Sequence, residues 1–156
     1  MRGKHFKRLV KLKIIQLVNP SKVMSKSYLL KSKESLLSSR ILYDNKQYND
    51  SIALSYFSMY NSLLGLLYFC GIKSENHNVS ISLLRDLFNI NNIQIKDAKK
   101  NRKDKQYYPS ELTSKIETFN AIRESEDFNS MIRDLIERMD SGKLMKYRED
   151  FLSLIK

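Results

Sequence analysis

Apolar side chains recur at steps of three, four and seven residues along most of this chain. Residues at those steps share one face of an α-helix, so the pattern predicts helices that each bury one side. After Pro20 the predicted helices follow one another with short connections, at about residues 21–44, 47–70, 79–89, 110–139 and 143–155. The pattern therefore predicts an all-α fold, a single-domain antiparallel bundle of four to five helices over residues 21–156.

The predicted helices carry apolar stripes that we expect to form the core. In the first of them the stripe is Val23, Leu30, Leu37 and Ile41, with lysine and serine on the opposite side. Gly71 follows the second helix, where glycine can end a helix in the left-handed conformation. In the long fourth helix, opened by Pro109 or Ser110, the stripe is Leu112, Ile116, Phe119, Ala121, Phe128, Met131, Ile132, Leu135 and Met139.

The second predicted helix lies in the most apolar part of the chain, with 22 residues from Ser51 to Ile72 that carry no charge. That length could cross a bilayer. Polar side chains in mid-membrane are costly, however, and this helix has a stripe of small serines that would let a neighbouring helix approach closely. The stripe consists of Ser51, Ser55, Ser58 and Ser62. We expect the buried central helix of a bundle and no membrane span.

Composition excludes several classes of protein. Four Gly and two Pro are too few for the turns of an all-β sandwich or barrel, and no glycine-rich run is present to cradle a nucleotide phosphate. The single cysteine, Cys70, cannot form an internal disulfide, and two histidines cannot build a histidine-rich metal site. We expect no metal, no cofactor and a reducing, cytoplasmic location.

Positive charge is concentrated at the N-terminus. Residues 1–33 hold ten Lys or Arg and no acid, whereas the remaining 18 basic residues nearly balance 17 acidic ones. Residues 1–20 are predicted to form a basic amphipathic N-terminal helix, or arm, added to the bundle. Two interpretations stay open: the arm packs its apolar side on the body, or it binds nucleic acid, anionic lipid or an acidic protein.

Conventional catalytic sets are absent from the sequence. His77 is the only histidine outside the arm, so the sequence offers no further histidine for a Ser-His-Asp arrangement. His77 lies within Ser74–Asn78, where short polar residues typically cap the free N–H groups of a helix that follows. A capping or surface-turn role for His77 is favoured over a catalytic one.

A basic segment that ends in two aromatic residues is the strongest candidate for a binding site. Cations pair with phosphates, and tyrosine rings offer flat faces on which unpaired bases stack. The alternative is a solvated basic loop whose tyrosines pack under the next helix. The side chains concerned are Lys99, Lys100, Arg102, Lys103, Lys105, Tyr107 and Tyr108.

Four stretches of the chain carry motifs: Tyr48–Asn61 (YNDSIALSYFSMYN), Leu63-Leu64, Gly71–His77 (GIKSENH) and Arg102–Tyr108 (RKDKQYY). In this order and at this spacing they resemble the HEPN domain family over about residues 25–138. The resemblance implies a helical bundle, usually a homodimer, that often pairs with a small nucleotidyltransferase as a toxin–antitoxin module. Active members of the family are metal-independent RNases that use an Arg and a His four to six residues later.

The resemblance assigns roles to particular residues of this chain. Arg102 matches the family's Arg, but Tyr107 stands where the His is expected, a form that resembles the Arg-x4-Tyr branch of the family, small HEPN proteins paired with nucleotidyltransferases. A tyrosine pKa near 10 suits proton transfer at neutral pH poorly, so RNA cleavage stays open. The implied catalytic pair is Arg102 and Tyr107, the implied supporting residues are Tyr56 and Asn61, and the implied nucleic-acid contacts are Lys99, Lys100, Lys103, Lys105 and Tyr108.

Three functions follow as hypotheses. The first is a HEPN-like protein that binds RNA or nucleotides, with toxin-type RNase activity as its catalytic form. The second is a non-catalytic interaction subunit that binds a nucleotidyltransferase partner. The third is a basic accessory protein held at nucleic acid or membrane by the arm.

Overall fold

The computed structural model describes residues 2–108 and 112–156, which form a mostly helical single domain, 77% helix. Within those ranges there are seven helices and two short strands. In chain order they are α1 Arg2–Lys11, β1 Ile15–Leu17, α2 Lys22–Asp44, α3 Tyr48–Phe69, β2 Ile72–Ser74, α4 His77–Asp86, α5 Ile93–Tyr107, α6 Lys115–Glu137 and α7 Ser141–Leu154.

Four of the helices begin at a short polar side chain whose oxygen accepts a hydrogen bond from a backbone N–H in the first turn. These N-caps are Ser21 of α2, Asn76 of α4, Ser114 of α6 and Asp140 of α7. The predicted opening of the fourth helix at Pro109 or Ser110 lies outside the described residues, and α6 itself begins at Lys115.

The helix count exceeds the predicted four to five plus the arm. The addition is α5, which covers the basic segment that separated two predicted helices. This helix buries only Ile95 fully, so its sequence carries almost no apolar periodicity. Its lysines, glutamines and arginine are nevertheless good helix formers, and no Gly or Pro interrupts them.

Serines at seven-residue intervals join α2 and α3 into a close antiparallel pair. Ser32 lies opposite Ser58 and Ser39 opposite Ser51, each Oγ donating to the partner's backbone carbonyl at 2.7–2.8 Å. Seven residues beyond Ser58, a Cβ on Gly65 would lie only 3.0 Å from the Leu29 side chain. Small side chains on both helices therefore allow the backbones to approach, as the serine stripe on α3 predicted.

The predicted core stripe of α2 is wrong. Val23, Leu30, Leu37 and Ile41 are exposed by 75%, 58%, 56% and 53%. The serine side of α2 faces α3 instead, because the small residues of α3 accept a close-fitting partner and supply carbonyls for its hydroxyls. Of the stripe predicted for the fourth helix, Phe128, Ile132 and Met139 are buried, whereas Leu112, Ile116, Phe119 and Met131 are exposed. Leu112 and Met139 lie outside α6.

Helix α3 forms the centre of the core. It has the length and apolar composition of a membrane span, but 67% of its most apolar window is buried inside the folded chain. Other helices therefore cover most of its circumference, as they cover the core helix of a folded domain. Gly71 follows it at φ +71°, the left-handed conformation expected there.

The N-terminal segment is joined to the body at two places. Phe6 and Leu9 of α1 are buried in the main core cluster, and β1 pairs antiparallel with β2, Ile15 opposite Ser74. The lysines of α1 stay exposed on its other side. Only Arg2–Lys11 of the predicted helical arm is helical, and the arm also contains β1, so it packs on the domain through a helix and a strand.

Ser58→Ala is expected to lower the free energy of unfolding by about 1–3 kcal/mol, because it leaves a buried polar partner unsatisfied. The Ser58 hydroxyl accepts a hydrogen bond from Asn129 Nδ2 at 2.7 Å and donates one to α2. Urea denaturation measures the loss. Exposed Ser38→Ala on α2 is the matched control, expected within about 0.5 kcal/mol of wild type. Equal effects of the two substitutions would contradict the role of the serine contact.

Candidate functional site

Two tyrosines one helical turn apart form the floor of the site. Tyr56 and Tyr60 lie on the same side of α3 and are 0% and 7% exposed. Their rings stack on each other with centroids 6.2 Å apart. Ser51 and Ser58 lie on a different side of α3, against α2. One helix therefore carries the serine contact on one side and an aromatic surface on another.

His77 is held against this aromatic surface. Its Nδ1 is 2.7 Å from the Tyr56 hydroxyl, and its ring stacks on Tyr60 with centroids 3.8 Å apart and planes 15° from parallel. The expected capping role belongs instead to Asn76, whose side chain accepts a hydrogen bond from Val79 N at 3.1 Å. His77 is the first residue of α4, half-buried and fixed on two sides by tyrosines.

Helix α5 brings two cations to the same place. The Arg102 guanidinium lies 5.6 Å from the centre of the Tyr56 ring and 5.1 Å from that of Phe57. Its Nε–H is buried and has no hydrogen-bond partner in the described part of the chain. Lys99, one turn earlier on α5, donates from Nζ to Asn78 Oδ1 beside His77. Tyr56, His77, Lys99 and Arg102 are called the His–Arg cluster below.

Electrostatics keep His77 neutral. Its pKa is lowered from the ordinary value of 6.5, first by burial and then by the positive charges of Lys99 and Arg102. Burial also lowers the pKa of Lys99, assisted by Lys103 and Arg102. The Tyr56 pKa is raised by burial and by Tyr60, against the opposing effect of Arg102. The shifts thus favour an uncharged imidazole and a protonated phenol, next to the Lys99 and Arg102 side chains.

The remaining predicted site residues lie elsewhere. Tyr107 and Tyr108, at the C-terminal end of α5, are 69% and 60% exposed, and Tyr107 lies about 140° around the helix from Arg102. The Lys105 side chain is 8% exposed and pairs with Glu117 of α6 at 3.3 Å. Lys100 and Lys103 are exposed on α5, and Asn61 is buried in α3. Arg102, Tyr56 and Lys99 are brought together, whereas Tyr107 is not brought to them.

The histidine that joins the predicted residues was assigned a different role by the sequence analysis. One signal for it was present, since His77 is the only histidine after the N-terminal segment. Only the packing of α4 on α3 puts its ring beside Tyr56 and Arg102.

The chemistry available in the cluster is acid–base chemistry next to positive charge. A neutral imidazole can accept a proton, an ammonium can donate one, and a guanidinium can stabilise a phosphate oxyanion. Among the described residues, no three His, Cys, Asp or Glu side chains converge in a way that could hold a metal ion.

Comparison with known proteins finds no relative of this chain. No protein-family model, no curated protein and no solved structure matches it. The likeness to the HEPN family therefore rests on the motifs quoted above and stays a prediction.

Proposed function

We propose that this protein binds RNA at the His–Arg cluster and cleaves it by attack of the ribose 2′-hydroxyl on the neighbouring phosphate. One observation carries the proposal: a neutral histidine is hydrogen-bonded to a buried tyrosine and lies beside an arginine whose Nε–H is buried without a partner. The proposal keeps Arg102 from the HEPN resemblance and gives His77 the task for which Tyr107 was the sequence-based candidate.

Binding uses the positive charge of α5. Arg102 and Lys99 lie at the cluster, and Lys100 and Lys103 are exposed on the same helix. A polyanion that neutralises these charges releases its counterions, so the affinity should fall steeply with salt. The exposed rings of Tyr107 and Tyr108 at the end of α5 are available for stacking on bases.

Cleavage assigns one proton transfer to each of two side chains. In the tautomer that donates Nδ1–H to the Tyr56 oxygen, the free Nε2 of His77 accepts the proton of the 2′-hydroxyl. The 2′-oxygen then bonds to phosphorus while the bond from phosphorus to the 5′-oxygen breaks. Lys99 protonates the leaving oxygen, and Arg102 stabilises the charge on the phosphoryl oxygens. The products are a 2′,3′-cyclic phosphate and a 5′-hydroxyl.

The wider setting is also a proposal. A HEPN-like RNase of this kind would act in a toxin–antitoxin pair with a nucleotidyltransferase, and a homodimer would bring two basic helices to one RNA. The motif order Tyr48–Asn61, Gly71–His77 and Arg102–Tyr108 supports this setting.

Arg102→Ala is expected to weaken binding of a fluorescently labelled single-stranded RNA by about 10- to 100-fold, the value of one or two charge-assisted hydrogen bonds. Anisotropy titration at fixed salt measures the loss. Arg123→Ala is the matched control, because Arg123 also lies against an aromatic ring, that of Phe119, but on α6. The control should bind within about twofold of wild type, since surface changes away from a site have small effects.

The same two variants decide the proposal. Arg102→Ala should keep the helical circular dichroism of wild type, because the Arg102 side chain is half-buried and does not belong to the hydrophobic core cluster. If folded Arg102→Ala binds RNA as tightly as Arg123→Ala does, the cluster is not an RNA site.

A second candidate function, the interaction subunit, is favoured by a different observation. Helix α2 exposes a row of apolar side chains on the surface of the domain. Such a row is typical of a helix that packs against a partner.

A further inference from the structure

The exposed apolar row of α2 has the spacing of a helix-pairing seam. Val23, Leu30, Leu37 and Ile41 follow at steps of seven, seven and four residues, and each is more than half exposed. The row lies on the opposite side of α2 from Ser25, Ser32 and Ser39, which face α3. These four residues, the α2 seam, therefore cannot be covered by α3.

A cavity with a partly apolar lining lies beside the seam. It lies between α2 and α6, has a volume of about 270 Å³, and has Leu30 at its edge. Leu29 and Ile136 supply apolar wall, while three cations and one acid line the rest: Lys26, Lys33, Arg133 and Glu137. Packing a side chain into a hole of this kind is the basic contact of paired helices.

The charges around the seam select the partner. Between residues 22 and 41 the exposed ionisable residues are Lys22, Lys26, Lys31, Lys33, Arg40 and a single acid, Glu34. Arg40 is paired with Glu126 of α6. A second copy of α2 would place cations against cations, which is unfavourable, whereas glutamates of a partner would face the exposed Lys22, Lys26, Lys31 and Lys33.

We propose that the α2 seam binds an acidic amphipathic helix of a partner protein. An apolar side chain of that helix enters the cavity beside Leu30, and its flanking glutamates face Lys26, Lys31 and Lys33. The RNA-site residues of α3 lie on the side of that helix away from its contact with α2, so this surface is separate from the proposed RNA site and does not depend on it.

The test uses the full chain and a synthetic helical peptide of about three heptads, with leucine at the pairing positions and glutamate beside them. A matched peptide replaces each glutamate by lysine. Binding is measured by fluorescence anisotropy for wild type, Leu30→Glu/Leu37→Glu and Lys26→Glu/Lys33→Glu, at low and high salt. The substituted side chains are all exposed, so these variants should fold, and circular dichroism checks that they do.

Wild type should bind the acidic peptide at least about 10-fold more tightly than the basic one, with the preference reduced at high salt. The Leu30→Glu/Leu37→Glu variant should lose binding to both peptides, and Lys26→Glu/Lys33→Glu should reverse the preference. Equal binding of both peptides, or no binding by wild type, overturns the proposal. So does self-association of wild type in sedimentation that Leu30→Glu/Leu37→Glu abolishes, because the occupant is then a second copy.

Discussion

His77→Gln is expected to lower the rate of RNA cleavage by about 10²–10⁴-fold, the usual contribution of a positioned general base. Glutamine retains hydrogen-bonding ability toward Tyr56 but cannot accept a proton at neutral pH. The measurement is kcat/KM on an end-labelled single-stranded RNA. His5→Gln is the control, because His5 is an exposed histidine on α1 outside the cluster, and it should cleave as wild type does.

The pH profile separates a catalytic His77 from a structural one. Because burial, Lys99 and Arg102 lower its pKa, the rising limb of wild-type kcat/KM should have its midpoint below 6.5 and be level by neutral pH. The lowered pKa of Lys99, the proton donor, puts the falling limb below the ordinary lysine value of 10.5. His77→Gln should lose the rising limb together with the rate. A residual activity with an unchanged rising limb would assign the base to another group.

Tyr56→Phe tests how the histidine is oriented. In the proposed mechanism Tyr56 is a positioning residue that acts through His77, because its hydroxyl is hydrogen-bonded to Nδ1. The substitution removes only the hydroxyl and keeps the ring, so the packing of Tyr56 on Tyr60 stays in place. The proposed mechanism therefore assigns the ring of Tyr56 to the fold and its hydroxyl to the chemistry.

The helices with a strong one-sided or all-round apolar pattern could be predicted from the sequence. The central helix was expected at 47–70 and is observed at Tyr48–Phe69, because its apolar run is bounded by a polar turn and by Gly71. Its serine stripe also predicted a close neighbour correctly. A charged helix such as α5, with one fully buried residue, gives no comparable signal.

The orientation of α2 could not be predicted, because two faces of that helix have the same period. Serines recur at 25, 32 and 39, and apolar residues recur at 23, 30 and 37. Hydrophobicity predicts that the apolar set is buried, yet the serine set is the one that faces α3. Serine hydroxyls bond to α3 carbonyls and allow closer packing than leucines would. The periodicity shows that α2 has two kinds of face, but which face is buried depends on the helix that packs against it.

The candidate cluster could be anticipated only in part, for a related reason. Arg102 and Tyr56 were candidates from the motif resemblance and Lys99 from the basic segment, both of which are local features of the sequence. The contact of His77 with Tyr56 and its closeness to Arg102 join three helices that are separated in the chain. The strands behave likewise: β1 and β2 are three residues each and are defined by pairing with each other. Contacts between distant segments carry no periodic signal.

Gly71→Ala is expected to destabilise the protein by about 2–5 kcal/mol, a large part of the total stability of a domain of this size. Gly71 has φ +71°, where a side chain is strained. A Cβ there would also collide with the Arg148 guanidinium and the Val18 carbonyl, and would lie 2.8 Å from Pro20 N. Two costs therefore add, the left-handed backbone and the overpacking.

The effect should be large because the added Cβ would collide with residues at a junction of three segments. Arg148 of α7 donates from Nη1 to the carbonyls of Val18, Cys70 and Gly71, at 2.9, 2.8 and 3.3 Å. Moving Arg148 aside to make room would leave those carbonyls without their donor and loosen α7, the end of α3 and the β1 segment together. Urea denaturation measures the loss, with Gly142→Ala as control, whose Cβ would meet only Asp140 at 3.4 Å. If Gly71→Ala is no less stable than Gly142→Ala, the junction accommodates the added methyl group without loss of stability and does not hold the N-terminal segment to the body.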